Sequence, residues 1–349
     1  MPDFVEALLI EIDLQKDFFQ KNTTIETLYF GGGTPSLLIE NQVDTILNSL
    51  YKNFSIKKDA EITLEANPDD LTLEKLQSFK QLGINRLSIG IQSFIDKELQ
   101  LINRAHKAQE GRLAIQNAQQ IGFNNISIDL IFNLPNQRLA DFEYNLSQAL
   151  HYQPQHISIY GLTIEPKTKL AHQIQSNKIQ LPDEEIYTKQ YELIQQTLSE
   201  NGFEHYEISN FALPNYRSRH NSAYWQQKHY LGLGPSAHSF DNQQRIINIP
   251  NIHQYCNSLK NNQLPIHSTE ILSNSDKANE IILTHLRTIE GLNLNALTPF
   301  ISPKTLQNII QTIQSKELSE LCIFSNNTLQ LTPNGKLFAD FVTQKLISL

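Results

Sequence analysis

The chain is poor in the residues that build disulfides and metal centres. Two cysteines, one methionine and one tryptophan stand among 349 residues. Cys256 and Cys322 lie far apart in unlike contexts, which excludes a disulfide framework and a CxxC metal knuckle. An excess of positive charge is missing too: 28 Lys and Arg against 36 Asp and Glu leave a formal charge of -8. A phosphate backbone needs a basic face to neutralise it, so no nucleic-acid partner is expected. No apolar run approaches the ~20 residues that span a bilayer, so stable membrane insertion is not expected either. The opening residues mix Asp3, Glu6, Glu11 and Asp13 with Phe4, Leu8, Leu9 and Ile12 at helical spacing, the pattern of an amphipathic helix and not of a signal peptide. With 40% hydrophobic and 18% charged residues, the composition is that of a globular protein of the reducing cytoplasm.

What is present alternates strand with helix. After the opening helix the pattern gives a strand over Ile25 to Phe30, a helix from Leu37 to Phe54, a strand over Glu61 to Glu65 and a helix capped by Thr72. Next come a strand over Leu87 to Ile91, a long helical stretch from Asp96 to Ile121, a strand over Ile126 to Phe132, a helix from Asp141 to Leu150 and a strand over His156 to Tyr160. Strands in this alternation, rich in isoleucine, imply an α/β protein with a parallel sheet, doubly wound or rolled into a barrel.

One strand runs straight into Gly31-Gly32-Gly33-Thr34-Pro35. Three glycines after an apolar strand let the backbone approach a bound molecule closely. Polar residues stand at or near the ends of the other strands: Glu65, Gln92, Asp129 and Thr163. Taken singly, each is an ordinary polar residue at a strand end. Together they converge, because the carboxyl edge of a parallel sheet is where such folds bind ligands.

The succession of Gly31 to Pro35, Glu65-Ala66-Asn67-Pro68, Gly90-Ile91-Gln92-Ser93-Phe94, Arg104-Ala105-His106, Ile128-Asp129-Leu130-Ile131 and Gly232-Leu233-Gly234-Pro235-Ser236-Ala237 resembles the motifs of radical S-adenosylmethionine enzymes. Within them it is similar to the oxygen-independent coproporphyrinogen III oxidases and their heme-chaperone relatives, over nearly the whole chain. The resemblance implies a partial (βα) barrel of the radical-SAM type, and a cofactor site in which Gly32, Gly33, Thr34, Glu65, Gln92, Arg104, Asp129 and Thr163 contact S-adenosylmethionine. His238 is a weaker candidate beside that cofactor. These residue types suit the ligand, since an ammonium, a carboxylate and a ribose call for carboxylates, a guanidinium and amide or hydroxyl groups. The segment His220-Asn221-Ser222-Ala223-Tyr224-Trp225 resembles the chaperones' HNxxYW signature, which makes His220, Tyr224 and Trp225 candidates for heme contact.

The departure from the family is as informative. Such proteins hold a [4Fe-4S] cluster by a CxxxCxxC loop after the first barrel strand, and this chain contains no such loop. It starts at the helix that would follow that loop, so the reading is of an incomplete chain with no cluster ligands of its own. The strand over Ile25 to Phe30 would then form an edge with unpaired backbone groups.

Residues 1-164 are read as the incomplete barrel. Residues 165-264 follow as a barrel extension, with a helix from Asp183 to Asn201, a strand over His205 to Ser209, the HNxxYW segment and Leu231 to Phe240. Residues 265-349 show a winged-helix-like pattern: a helix capped by Ser275, a second from Pro303 to Gln314, a short third to Leu321, a hairpin turning at Asn326-Asn327 and a closing helix. Six acidic residues against six Lys and Arg from Asp276 onward argue for a lid or docking role, and pairing of two chains through it stays open. Three functions remain in view. A heme chaperone handing heme to an acceptor protein is preferred, ahead of a coproporphyrinogen oxidase and of an inactive remnant.

Overall fold

The computed structural model describes residues 2-166, 168-176 and 178-347. Its strands are β1 (Thr24–Phe30), β2 (Ser55–Ala66), β3 (Arg86–Gln92), β4 (Ile126–Phe132), β5 (His156–Gly161), β6 (Glu204–Glu207), β7 (Asn210–Ala212), β8 (His238–Phe240), β9 (Gln244–Asn248), β10 (Ile266–Ile271), β11 (Leu292–Asn293), β12 (Cys322–Ser325) and β13 (Thr328–Leu331). Seven of them form one sheet in the order β1-β2-β3-β4-β5-β7-β6, the curled half-barrel of an α/β protein. Pairing from β2 through β5 is parallel, and β6 and β7 join beyond β5 as an antiparallel hairpin.

The chain forms two compact units. One comprises residues 29-37 and 62-218, the other residues 1-28, 38-61 and 219-349, and the division falls within β1 and β2. In the unit holding β3 to β7, one sheet face is apolar. Leu64, Leu87, Ile89, Ile128, Leu130 and Ile157 are fully buried there beneath the helices Ala108–Ile121 and Leu139–His151. Because successive residues of a strand point to opposite faces, Glu65, Ser88, Ser127, Asp129, His156 and Ser158 line the other face. The strands are therefore not apolar throughout. Arg86 and His156, 1% and 0% exposed, are enclosed on the polar side.

In the other unit, the helix Pro2–Leu14 packs against Glu40–Asn53 and Ile252–Lys260. Two small antiparallel sheets, β10-β9-β8 and β11-β13-β12, accompany the helices Asn274–Leu286, Pro303–Ile313 and Ala339–Ile347. Helices followed by a hairpin give this C-terminal region its winged-helix-like character. The hairpin turns where expected: Asn326 and Asn327 take φ of 49° and 62°, the left-handed pair that matches strand twist.

Several expectations change. The helical stretch from Asp96 to Ile121 is two helices, Asp96–Leu101 and Ala108–Ile121, because Asn103 turns left-handed at φ 57° and ends the first. The strand over His205 to Ser209 is split into the β6-β7 hairpin. Among the described residues of the 165-264 extension, only that hairpin joins the large sheet; Leu231 to Phe240 ends in β8, which pairs β9. The C-terminal helix is capped by Ser273, not Ser275, since the Ser273 hydroxyl and the Asp276 carboxylate close a reciprocal capping box. The short helix before Leu321 is a series of turns. Glu11, on an amphipathic pattern, is fully buried. Among the described residues no helix is long and apolar enough to cross a membrane.

Candidate functional site

The carboxyl ends of β1 to β4 gather most of the expected cofactor residues. The Tyr29 hydroxyl donates a 2.8 Å hydrogen bond to Glu65 Oε1, which fixes the carboxylate beside the glycine loop. Gly31 is required by that approach: a Cβ there would come 2.7 Å from the Tyr29 ring and 3.0 Å from the Glu65 carboxyl carbon. Gly32 takes φ +70°, a conformation that L side chains rarely adopt. Thr34 follows, and its carbonyl accepts the Leu37 N–H at 3.0 Å to start the turn Pro35–Leu37.

Two further strand ends are tied together by Arg104. Its Nη2 donates to Asn67 Oδ1 at 2.7 Å and to the Gly90 carbonyl at 3.3 Å. Partial burial lowers the guanidinium pKa without discharging it. The Asn103 turn is what lets Arg104 reach β2 and β3 instead of continuing a helix. Gly90 leaves room for this crossing, since a Cβ would stand 3.0 Å from Gln92 Nε2 and 3.3 Å from Arg104 Nη2. Gln92 itself sits at φ 64°, where the β3-β4 register shifts.

Asp129 lies deeper on the polar face. Ser88 Oγ donates to both of its oxygens at 3.2 Å and Ser127 Oγ to one at 3.3 Å. Burial pushes its pKa up to about 6, with the Glu65 charge adding to the rise and hydrogen bonds from Ser158 and Ser88 opposing it. His156 bridges Ser127 Oγ and the Tyr206 hydroxyl, each at 2.8 Å, and burial holds its pKa well below the ordinary value, so it is neutral. Thr163 stands apart, exposed in the segment after β5.

Sequence reasoning missed three contributors, Tyr29, Ser36 and Asp70, and gave Asn67 no role beyond its place in the motif after Glu65. Ser36 is fully buried, donates to Asp70 Oδ2 at 2.6 Å, accepts the Asn67 N–H at 3.3 Å and offers its carbonyl to Lys75 Nζ. This links the turn after the glycines to the end of β2. Period-2 alternation of polar residues in β3 to β5 was the signal for the polar face; Ser36 left no such signal.

The HNxxYW segment belongs to the other unit and forms the helix Arg219–Trp225. The Glu61 carboxylate accepts the backbone N–H groups of Arg219 and His220, each at 3.1 Å, and thereby fixes the start of this helix. His220 Nδ1 and Thr27 Oγ1 share a 3.0 Å hydrogen bond. The His220 ring meets Tyr224 edge-on at 4.9 Å, Tyr224 meets Tyr230 at 4.5 Å, and Tyr230 meets Phe240 at 5.9 Å. Trp225 lies under the Arg287 guanidinium, 5.7 Å from its ring, and its Nε1 is buried with no hydrogen-bond partner. His238 begins β8 in this same unit and is exposed.

The residues present do not fit an iron–sulfur cluster. Among the described residues no group of three His, Cys, Asp or Glu could hold a metal ion, and Cys256 and Cys322 lie on a helix and on β12. They do fit S-adenosylmethionine: carboxylates at Glu65 and Asp129, a guanidinium at Arg104 and a backbone bared by Gly31 and Gly32 complement a ligand with cationic and anionic ends.

Residues 6-148 match the Radical SAM superfamily. The chain is 33% identical over 321 residues to heme chaperone HemW of Bacillus subtilis, covering 91% of this chain and 84% of that one. It is 34% identical over 336 residues to heme chaperone HemW of a Synechocystis species, covering 95% and 80%. Coproporphyrinogen III oxidase HemN of Escherichia coli, a radical SAM enzyme, shares the fold with a TM-score of 0.84 at 22% identity, over 99% of this chain and 82% of that one. With a polar strand-end site of the right composition and relatives of this identity across almost its whole length, the chain belongs to the radical SAM superfamily, in the family of the HemW heme chaperones.

Proposed function

We propose that this protein is a heme chaperone, one that binds heme and passes it to an acceptor protein. The observation that carries this reading is the run His220, Tyr224, Tyr230 and Phe240, an imidazole backed by three aromatic rings in sequence. Imidazole ligates heme iron, and aromatic faces pack on a porphyrin. The Thr27 bond to Nδ1 orients the His220 ring. The relatives named as heme chaperones support the same reading, whereas the likeness to the oxidase is one of fold.

S-adenosylmethionine is the proposed ligand of the strand-end site, with Glu65, Gln92, Arg104 and Asp129 facing its polar groups and the glycine loop with Thr34 against its methionine end. Bound there, it supplies the sulfonium group on which the superfamily's chemistry depends. A cytoplasmic location goes with this reading.

Absorbance titration with hemin tests the proposal. Saturable binding with a shifted Soret band is expected, and His220→Ala should weaken it by at least about tenfold. A chain that leaves the hemin spectrum unchanged refutes the chaperone reading.

A further inference from the structure

The unit that carries the HNxxYW helix also contains a cleft of about 500 Å³. That is within the range of small-molecule and cofactor sites. Its wall begins where the signature ends: Gln226 and Gln227, which directly follow Trp225, line it, as does Phe240, the last ring of the series that starts at His220. The opposite wall is one face of the helix Asn274–Leu286, where Lys277, Ile281 and His285 recur at i, i+4 and i+8. Phe300 completes the apolar lining.

The chemistry of this lining is selective. Phe240, Ile281 and Phe300 offer apolar surface to a flat ring system. The His285 side chain makes no hydrogen bond among the described residues, so its nitrogens are available to a ligand. Lys277 makes no ion pair among them either, and Glu280, which also lines the cleft, pairs with Arg245 at 2.9 Å. Gln227 Nε2 is buried without a partner, on a residue whose backbone is left-handed at φ 52°. A buried unsatisfied donor is costly unless a ligand uses it, and here it stands with an ammonium and an unengaged imidazole around a cleft of mixed polar and apolar lining.

We propose that this cleft holds a second heme, apart from the one at His220, with His285 as a ligand to its iron and Lys277 opposite a propionate carboxylate. This rests on the heme-chaperone reading and adds a site to it. The residues directly after the HNxxYW helix then form one wall of the cleft, and the ring series that starts at His220 ends in that wall at Phe240.

The test titrates hemin and iron-free protoporphyrin into the full chain and its variants, with thermal melts to confirm folding. His285→Ala should weaken hemin at least about tenfold in the cleft alone, so that one tight hemin equivalent remains where the wild type holds two, and leave protoporphyrin unchanged, since only iron needs the imidazole. His285→Met, which keeps an iron ligand, should restore hemin binding with a displaced Soret band. Lys277→Ala should weaken both ligands. If the wild-type chain binds hemin and these variants bind it equally well, the cleft is not the site, while the chaperone reading stands. If the wild-type chain binds no hemin, both fall together.

Discussion

The Tyr255 hydroxyl donates a 2.6 Å hydrogen bond to Glu11 Oε2, across 244 positions of sequence. The same oxygen accepts the Gly234 N–H at 2.8 Å, and Oε1 accepts Asn248 Nδ2 at 2.6 Å. One fully buried carboxylate thus joins the opening helix, the Gly232 to Pro235 loop, β9 and the helix bearing Tyr255. Burial raises its pKa, against the pull of the three donors.

Glu11→Ala should therefore destabilise this unit by about 3 kcal/mol or more, because it strands three buried donors. Glu11→Gln should cost less, since the amide oxygen can still accept from Tyr255 and Gly234. Urea denaturation of both variants measures the difference. Equal stability of Glu11→Ala and wild type would show that the network contributes nothing.

Asp129 couples stability to ligand binding. Its folded pKa of about 6 lies above the ordinary 3.8, so the folded state keeps a proton that the unfolded state releases. Its contribution to stability is greatest below about pH 4 and is lost as pH rises toward 6, by up to about 3 kcal/mol. Asp129→Asn should accordingly stabilise the protein at pH 7. It should also weaken S-adenosylmethionine binding, which for the wild type should decline as pH falls below 6 and the carboxylate is neutralised. Calorimetric titration between pH 5 and 8 reads both the affinity and its pH dependence.

Gly31→Ala should disrupt the cofactor site without unfolding the sheet. The new methyl group would meet the Tyr29 ring at 2.7 Å and the Glu65 carboxyl carbon at 3.0 Å, so their hydrogen bond must shift. S-adenosylmethionine affinity should fall about tenfold or more with an unchanged circular dichroism spectrum. Tyr29→Phe, which frees Glu65 without a clash, should show a smaller loss.

Glu61 acts on heme through the helix it holds. Glu61→Ala would release the Arg219 and His220 N–H groups, at a local cost of about 1–2 kcal/mol for a lost cap. Hemin affinity should fall while S-adenosylmethionine affinity stays unchanged. Parallel titrations with the two ligands separate this from a general loss of structure.

The sequence was informative wherever function rests on local pattern. Strand and helix order, the glycine loop, the Asn326-Asn327 hairpin and the placing of Gln92 and Asp129 at or near strand ends all follow from periodicity and turn chemistry. The Asp96 to Ile121 stretch was misread because amphipathic spacing continues on both sides of Asn103, and only its left-handed backbone breaks the run. Thr163 follows β5 as the strand-end pattern places it, and its side chain is exposed there.

By itself, the sequence determined the α/β class, the polar strand ends, the HNxxYW segment and the lack of a cysteine triplet, since each is a matter of residue type and spacing along the chain. Tertiary structure alone decided that Glu11 is buried under three donors, that Glu61 holds the HNxxYW helix and that His285 and Lys277 share a cleft with Phe240. Those pairings join residues tens to hundreds of positions apart. Their energies depend on burial and on the direction of each hydrogen bond, and neither is written in the local pattern.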